Sequence, residues 1–248
     1  MKSNPRFSII TVSYNAKEDL EKSIKSVSNQ TFKNYEYLVI DGNSTDGTKE
    51  LLRKYDKEIN YWVSEKDNGI YNAMNKGARV ANGDYLYFLN AGDTFSDKNS
   101  LEGVSREIDN NQDLIYGRIR VVNKRNDKSY IRGKKITKFN IKLGNKVSQQ
   151  AVFIKREVFN KVGGLDERYK IAADFDLLCK VFDGNYLIKK IDLIVCNYDG
   201  DGVSSNLKKS YLDTGKVIKN RYGGLNWNIY LVLMILKLVI AGFYIKKI

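Results

Sequence analysis

An α/β fold is predicted, with a mostly parallel central sheet, helices on both faces and a C-terminal apolar helix. Three observations carry it. Short apolar runs rich in β-branched residues alternate with segments whose apolar residues recur at helical spacing. The connections between them are short. Polar residues gather after four successive runs, at Ser13-Tyr14-Asn15, Asp41, Glu65-Lys66-Asp67 and Asp93, at the sheet edge where open α/β folds bind ligands.

Phe7–Ser13 reads as a buried strand, and the polar Tyr14-Asn15-Ala16 leads into a helix over Lys17–Asn29 with Leu20, Ile24 and Val27 on one face. Tyr35–Asp41 is the second strand. The turn GNSTDGT follows it, and Ser44 or Thr45 is expected to cap a helix running to Tyr55. Tyr61–Ser64 is a short strand, Asn72–Val80 a helix and Tyr85–Leu89 a fourth strand ending at Asn90-Ala91-Gly92-Asp93. Beyond it the pattern is less regular. Strands are expected at Asp113–Val122, Lys128–Arg132, Gln149–Lys155 and within Tyr186–Asn197, and helices at Arg156–Val162 and Ala173–Phe182. A basic loop, Lys124-Arg125-Asn126-Asp127, and a flexible one, Asp199-Gly200-Asp201-Gly202, are expected between them.

Ile229–Ile245 is a 17-residue run with one charge, Lys237, and lysines at 246 and 247. A helix apolar on all sides is either buried against protein or in contact with lipid. Its length is at the lower limit for a span, and Lys237 argues against a simple crossing. The expected organisation is one domain over residues 1–215, with halves at about 1–100 and 101–215, followed by a membrane-associated helical segment over 216–248. The apolar run near the N-terminus, Phe7 to Val12, is too short for a signal peptide, so a cytoplasmic protein, peripheral at the inner face of the cytoplasmic membrane, is expected.

Composition narrows the chemistry. Hydrophobic residues make up 42% of the 248, which rules out a wholly disordered chain. There is no histidine, which removes Ser-His-Asp and Cys-His catalysis and every imidazole metal site. The two cysteines, Cys179 and Cys196, read as buried thiols. Residues 1–120 hold 17 basic and 18 acidic side chains, a net of −1, and residues 121–248 hold 25 and 11, a net of +14, so the whole excess of +13 sits in the second half and calls for an anionic partner. The cations are scattered between apolar segments, not set in an aromatic-interleaved stripe, so nucleic acid is not expected. Neither GxGxxG nor GxxxxGK[ST] is present.

A divalent cation would therefore be held by oxygen, which suits Mn²⁺ or Mg²⁺. Asp93 is the best placed ligand, or else a turn aspartate. Asp41, at the lip of the sheet, either accepts a hydrogen bond from a base imide or caps the next helix, and Asp67 is similar. Tyr14 either stacks on a base or belongs to the core. Asp174 and Asp176 open a helix, where the macrodipole favours them, and one of them facing a cleft could act as general base.

Taken together, FSIITVSYN, YLVIDGNSTDGT, SEKDNGIYNAMNKGARVANGDYLYFLNAGD, QQAVFIKR and GLDERYKIAADFDLL resemble family 2 glycosyltransferases of the GT-A fold, in order and over residues 5–205. The IYNAMNKG and NAGD segments resemble a subgroup that builds bacterial surface polysaccharides. The resemblance implies inverting transfer of a sugar from a nucleotide-sugar, by family lean a UDP-sugar, to a glycan or lipid-linked acceptor. It implies that Val12, Ser13, Tyr14 and Asp41 contact the uridine, that Asp67 lies beside base or ribose, and that Asp93 is the metal ligand. It makes Asp174 the catalytic base and residues 199–204 a loop closing over the donor. Two departures stand out: the metal segment keeps a single carboxylate, and Ala173 replaces the glutamate of the family's Glu-Asp pair. They motivate the alternative of a non-catalytic nucleotide-sugar-binding scaffold.

Overall fold

The computed structural model describes residues 5–109, 111–123, 128–199 and 207–245. The expected loops at 124–127 and 200–204 and the lysines at 246 and 247 lie outside the described residues, as does the side chain of Lys237.

The first half is built as the sequence predicts. β1 (Phe7–Ser13), α1 (Lys17–Ser28), β2 (Tyr35–Asp41), α2 (Thr48–Lys54), β3 (Tyr61–Ser64), α3 (Ile70–Val80) and β4 (Tyr85–Phe88) follow one another. β1 runs parallel between β2 and β4, and β3 adds in parallel outside β2. All seven residues of β1 are buried, because helices cover both faces of the sheet, so the strand carries no clean polar alternation. α1 buries Leu20, Ile24 and Val27, the face its spacing predicts.

The start of α2 corrects the sequence reading. The helix begins at Thr48 after Gly47, and neither Ser44 nor Thr45 caps it. Ser44 instead turns back: its hydroxyl donates to Asp41 and accepts from the backbone N–H of Asn15 at 2.7 Å. Thr45 N donates to Asn15 Oδ1 and Lys17 N to Asp46 Oδ2. The loops after β1 and β2 are thereby tied to each other, with Asn15 in a left-handed conformation that asparagine tolerates.

The second half contains β5 (Thr94–Phe95), α4 (Ser100–Glu107), β6 (Leu114–Asn123), β7 (Lys128–Arg132), α5 (Lys138–Ile141), β8 (Val152–Lys155), α6 (Arg156–Lys161), α7 (Ala173–Asp183) and β9 (Ile188–Asp199). Gln149–Ala151, expected as the start of a strand, is a 3₁₀ turn. One sheet runs in the order β3-β2-β1-β4-β8-β6-β9-β5, with β7 paired to β6. β8 lies antiparallel to β4 and β6, β9 parallel to β6, and most of the ladder is parallel.

A buried carboxylate fastens the edge of the sheet away from the polar rim. Glu36 accepts from the Ser8 hydroxyl and from the backbone N–H groups of Asn82 and Gly83. Both cysteines are buried. Burial pushes the Cys179 thiol up to about 12, and burial with the nearby Asp93 carboxylate holds Cys196 well above the ordinary thiol range.

The final helix, α8 (Leu207–Ile245), is two arms joined at Gly223, whose φ of 79° reverses the chain. The far arm folds back on the near one: Trp227 lies against Gly215, and Tyr230 Oη donates to the Tyr211 carbonyl at 2.9 Å. The near arm docks on α7, where Arg221 and Lys180 pair with the buried Asp176. Among the described residues no helix is long and apolar enough to cross a membrane.

Candidate functional site

The carboxyl ends of β1, β4 and β9, the segment 146–150 and the start of α7 enclose a cleft of about 540 Å³. Val12, Ser13 and Tyr14 form one end, Asp93 lies on its floor, and Asp174 faces it from α7. Five of the seven residues singled out from sequence thus meet in one cavity. Tyr14 is 67% exposed, so it is a rim residue and not part of the core. The Ser13 hydroxyl and the Asn90 side-chain carbonyl line the same cavity, buried and without a hydrogen-bond partner among the described residues. Buried polar atoms are normally satisfied, so these two are acceptors left over at residues that line the cleft.

Asp41 and Asp67 stand just outside the lining. Asp41 is fully buried, and its carboxylate accepts from Ser44 N at 2.9 Å and from the hydroxyls of Ser44 and Ser64. Asp67 accepts from Gly69 N at 2.8 Å, ahead of α3. Gly42 connects the group. A Cβ added there would lie 2.6 Å from Asp67 Oδ2 and 3.2 Å from the Tyr14 ring, so glycine is what allows Tyr14 and Asp67 to flank the end of β2.

Asp93 is 2% exposed and accepts from the backbone N–H of Asp199 at 3.0 Å. Ser23 of α1 holds the turn before it, donating to the Asp93 carbonyl at 2.8 Å and accepting from Gly92 N at 3.0 Å. At Gly92, where φ is 95°, an added Cβ would lie 3.5 Å from the Asp19 carboxyl carbon and 3.6 Å from Asp199 Oδ2. The left-handed backbone at this position is one that glycine adopts without strain. Asp19, whose carboxylate pairs with Lys22 at 2.7 Å, and Asp199 both line the cleft near this turn. Neither was selected as a ligand from sequence. Asp19 looks like an ordinary first-turn acid of α1, and Asp199 like a loop residue, whereas it ends β9.

The two α7 aspartates lie on different sides of the helix. Asp174 faces the cleft, and Asp176 points away, 2% exposed, to Arg221 and Lys180. Tyr71 of α3 shares its hydroxyl between the Ile171 carbonyl at 2.7 Å and Asp174 Oδ1 at 3.2 Å. Burial, reinforced by the Asp174 charge, holds the Tyr71 phenol well above its ordinary range, so it stays a neutral donor. Asn75 binds Leu165 and Glu167, and Asn72 binds Glu167. Asp213 of α8 accepts from the N–H groups of Ile171 and Ala172. The platform under Asp174 is therefore held from α3 on one side and from α8 on the other. Arg132, Lys146 and Lys170 also line the cleft, with Arg132 fixed by two hydrogen bonds to the Ser148 hydroxyl.

Whether these residues suit a divalent cation is a question of donor chemistry. The acidic end offers carboxylate oxygen only, which matches Mn²⁺ or Mg²⁺. Among the described residues no group of three or more ligating side chains is close enough to hold a metal alone. The arrangement fits a cation that substrate oxygens complete.

Comparison with known proteins gives the family and the fold. The family model described as "Glycosyl transferase family 2" matches residues 8–163. A "PGL/p-HBAD biosynthesis glycosyltransferase" of Mycobacterium bovis is 30% identical over 210 residues, covering 82% of this chain and 80% of that protein. The crystal structure of S. aureus TarS 1-349 in complex with UDP-GlcNAc shares the fold at a TM-score of 0.68 and 20% identity, over 91% of this chain and 70% of that one; the match covers 40% of a longer TarS chain. The mannosyltransferase PcManGT from Pyrobaculum calidifontis, in complex with GDP-Man and Mn²⁺, matches at 0.67 and 18% identity, over 93% of this chain and 69% of that one. The chain belongs to glycosyl transferase family 2.

Proposed function

We propose that this chain is an inverting glycosyltransferase that moves a sugar from a UDP-sugar to a hydroxyl of a glycan or lipid-linked acceptor in bacterial cell-surface polysaccharide synthesis. The observation that carries it is the convergence of the β1 end, Asp93 and Asp174 on one cleft. Val12, Ser13 and Tyr14 receive the uridine, with Asp41 and Asp67 shaping the pocket behind them. Ser13 Oγ and Asn90 Oδ1, which lack protein partners among the described residues, take up hydrogen bonds from the donor. Asp93, with Asp199 beside it, would hold Mn²⁺ or Mg²⁺, which when bound neutralises charge on the diphosphate leaving group. Asp174 takes the proton of the acceptor hydroxyl as that oxygen attacks the anomeric carbon from the face opposite the diphosphate. Alignment of the two substrates in the cleft supplies much of the remaining acceleration. The net +14 of residues 121–248 and the exposed Leu225, Ile229 and Val232 of the far α8 arm support a peripheral site on the inner face of the cytoplasmic membrane.

The test is thermal melting with UDP, GDP and dTDP, with and without Mn²⁺. A ligand that binds only the native state raises the melting temperature, by an amount set by its concentration relative to Kd. The expected result is a rise with UDP that requires Mn²⁺ and is lost in Asp93→Ala. Absence of any shift in folded protein would remove the donor site. A second expectation concerns Tyr71: Tyr71→Phe keeps the ring but removes a donor to Asp174, and should lower kcat about tenfold with the donor KM unchanged. A raised donor KM with kcat unchanged would assign Tyr71 to binding.

A further inference from the structure

We infer that this protein meets anionic lipid through a second surface, separate from the far α8 arm and built on α5, with Phe139 as its apolar anchor. The inference rests on the membrane reading proposed above and names where the acceptor half touches the bilayer.

Phe139 is 75% exposed on a helix of four residues, and Leu187, ahead of β9, is 60% exposed. Neither serves the core. Both lie among lysines. Lys135, Leu187, Lys189 and Lys190 line one shallow groove, and Lys138 Nζ donates to the Gly184 carbonyl just before Leu187. Asn140 donates to the Lys135 carbonyl and, with Thr137, closes a capping box that fixes the short helix and the outward direction of Phe139. Lys142 stands three residues after Phe139, on the same face. Its ammonium lies 5.3 Å from the ring of Tyr222, the last residue of the near α8 arm before Gly223.

Charge decides the occupant. Glu107 pairs with Lys189 and Asp192 with Lys190. Lys134, Lys135, Lys138 and Lys142 form no ion pair among the described residues. An exposed aromatic ring within a cluster of unneutralised lysines matches an anionic interface, where the ring enters the headgroup boundary and the ammonium groups stay at the phosphates. The same stretch of chain continues to Lys146, Ser148 and Gln149 on the cleft wall, so lipid contact at α5 would bring a membrane-held acceptor to that wall.

The experiment uses the full chain with sedimented vesicles of phosphatidylcholine, alone and mixed with phosphatidylglycerol, at low and high salt. Binding should require phosphatidylglycerol and weaken with salt. Phe139→Ala should reduce partitioning roughly fivefold, and Lys134→Gln and Lys135→Gln roughly fivefold each. All three side chains are exposed, so folding is spared, and an unchanged melting temperature checks this. Leu225→Ser with Ile229→Ser reports on the far arm separately. If the full chain binds anionic vesicles and Phe139→Ala binds equally well, the α5 surface is refuted while the membrane reading stands. If the full chain binds neither vesicle, both fall. If Phe139→Ala leaves vesicle binding intact and abolishes self-association, the surface belongs to a second copy of the chain and the proposal is overturned.

Discussion

Asp174→Asn is expected to lower turnover about 10³-fold while leaving UDP-dependent stabilisation intact. The amide keeps the shape of the carboxylate, and its oxygen still accepts from Tyr71, so donor binding and the α7 platform are preserved. What is lost is a basic oxygen able to receive the acceptor's proton. The informative control is two residues away. Asp176 is buried between Arg221 and Lys180 and does not line the cleft. Asp176→Asn should therefore reduce the melting temperature, because the buried carboxylate's ion pairs with Arg221 and Lys180 are lost, and leave the activity of the folded fraction close to that of the parent. Steady-state kinetics on both variants, corrected for folded fraction, is the measurement. Turnover that survives in Asp174→Asn and disappears in Asp176→Asn would reverse the assignment.

Gly83→Ala is expected to be the most destabilising single methyl addition in the nucleotide half. A Cβ at Gly83 would lie 2.5 Å from Ser8 N and 2.7 Å from the Phe7 carbonyl carbon. These are backbone atoms of the central strand, and no flexible side-chain end is available to move aside. The neighbouring N–H donations to Glu36 would be displaced with them, which leaves a buried carboxylate short of donors. Overpacking against an immobile core costs about 3 kcal/mol, equivalent to a fall of roughly 6–12 °C in melting temperature for a chain of this size. Calorimetry on the two proteins settles it, and a change below 2 °C, roughly half a kcal/mol on that scale, would show that the β1–β4 edge yields.

These expectations draw unequally on sequence and structure. The parallel half was legible because each strand buried on both faces must be apolar and each covering helix must keep a periodic face, as β1 and α1 do. Thr94–Phe95 was not legible, since two residues become a strand only through pairing with β9. α4 is short and owes its place to tertiary contacts, and α5 is a single turn held by the Thr137–Asn140 capping box. The start of α2 was misread because Ser44 and Thr45 have the right chemistry for a cap, and tertiary partners, Asp41 and Asn15, claimed it first. Asp93 and Asp174 could be found from a resemblance, but Asp19 could not: no local signal separates an acid at a helix start from one that a distant turn brings to a cleft. The reversal at Gly223 had a sign in the Gly223-Gly224 pair. Reading the apolar run as starting at Ile229 concealed that Trp227 and Tyr230 belong to packing inside the protein.

The two buried thiols have a practical consequence for spectroscopy. Neither is accessible and both resist ionisation, so maleimide chemistry at neutral pH has no native target on the folded chain. The natural sequence is thus already a silent background for attaching a single dye, and an environment-sensitive fluorophore at an introduced surface cysteine would report its surroundings without prior removal of Cys179 or Cys196.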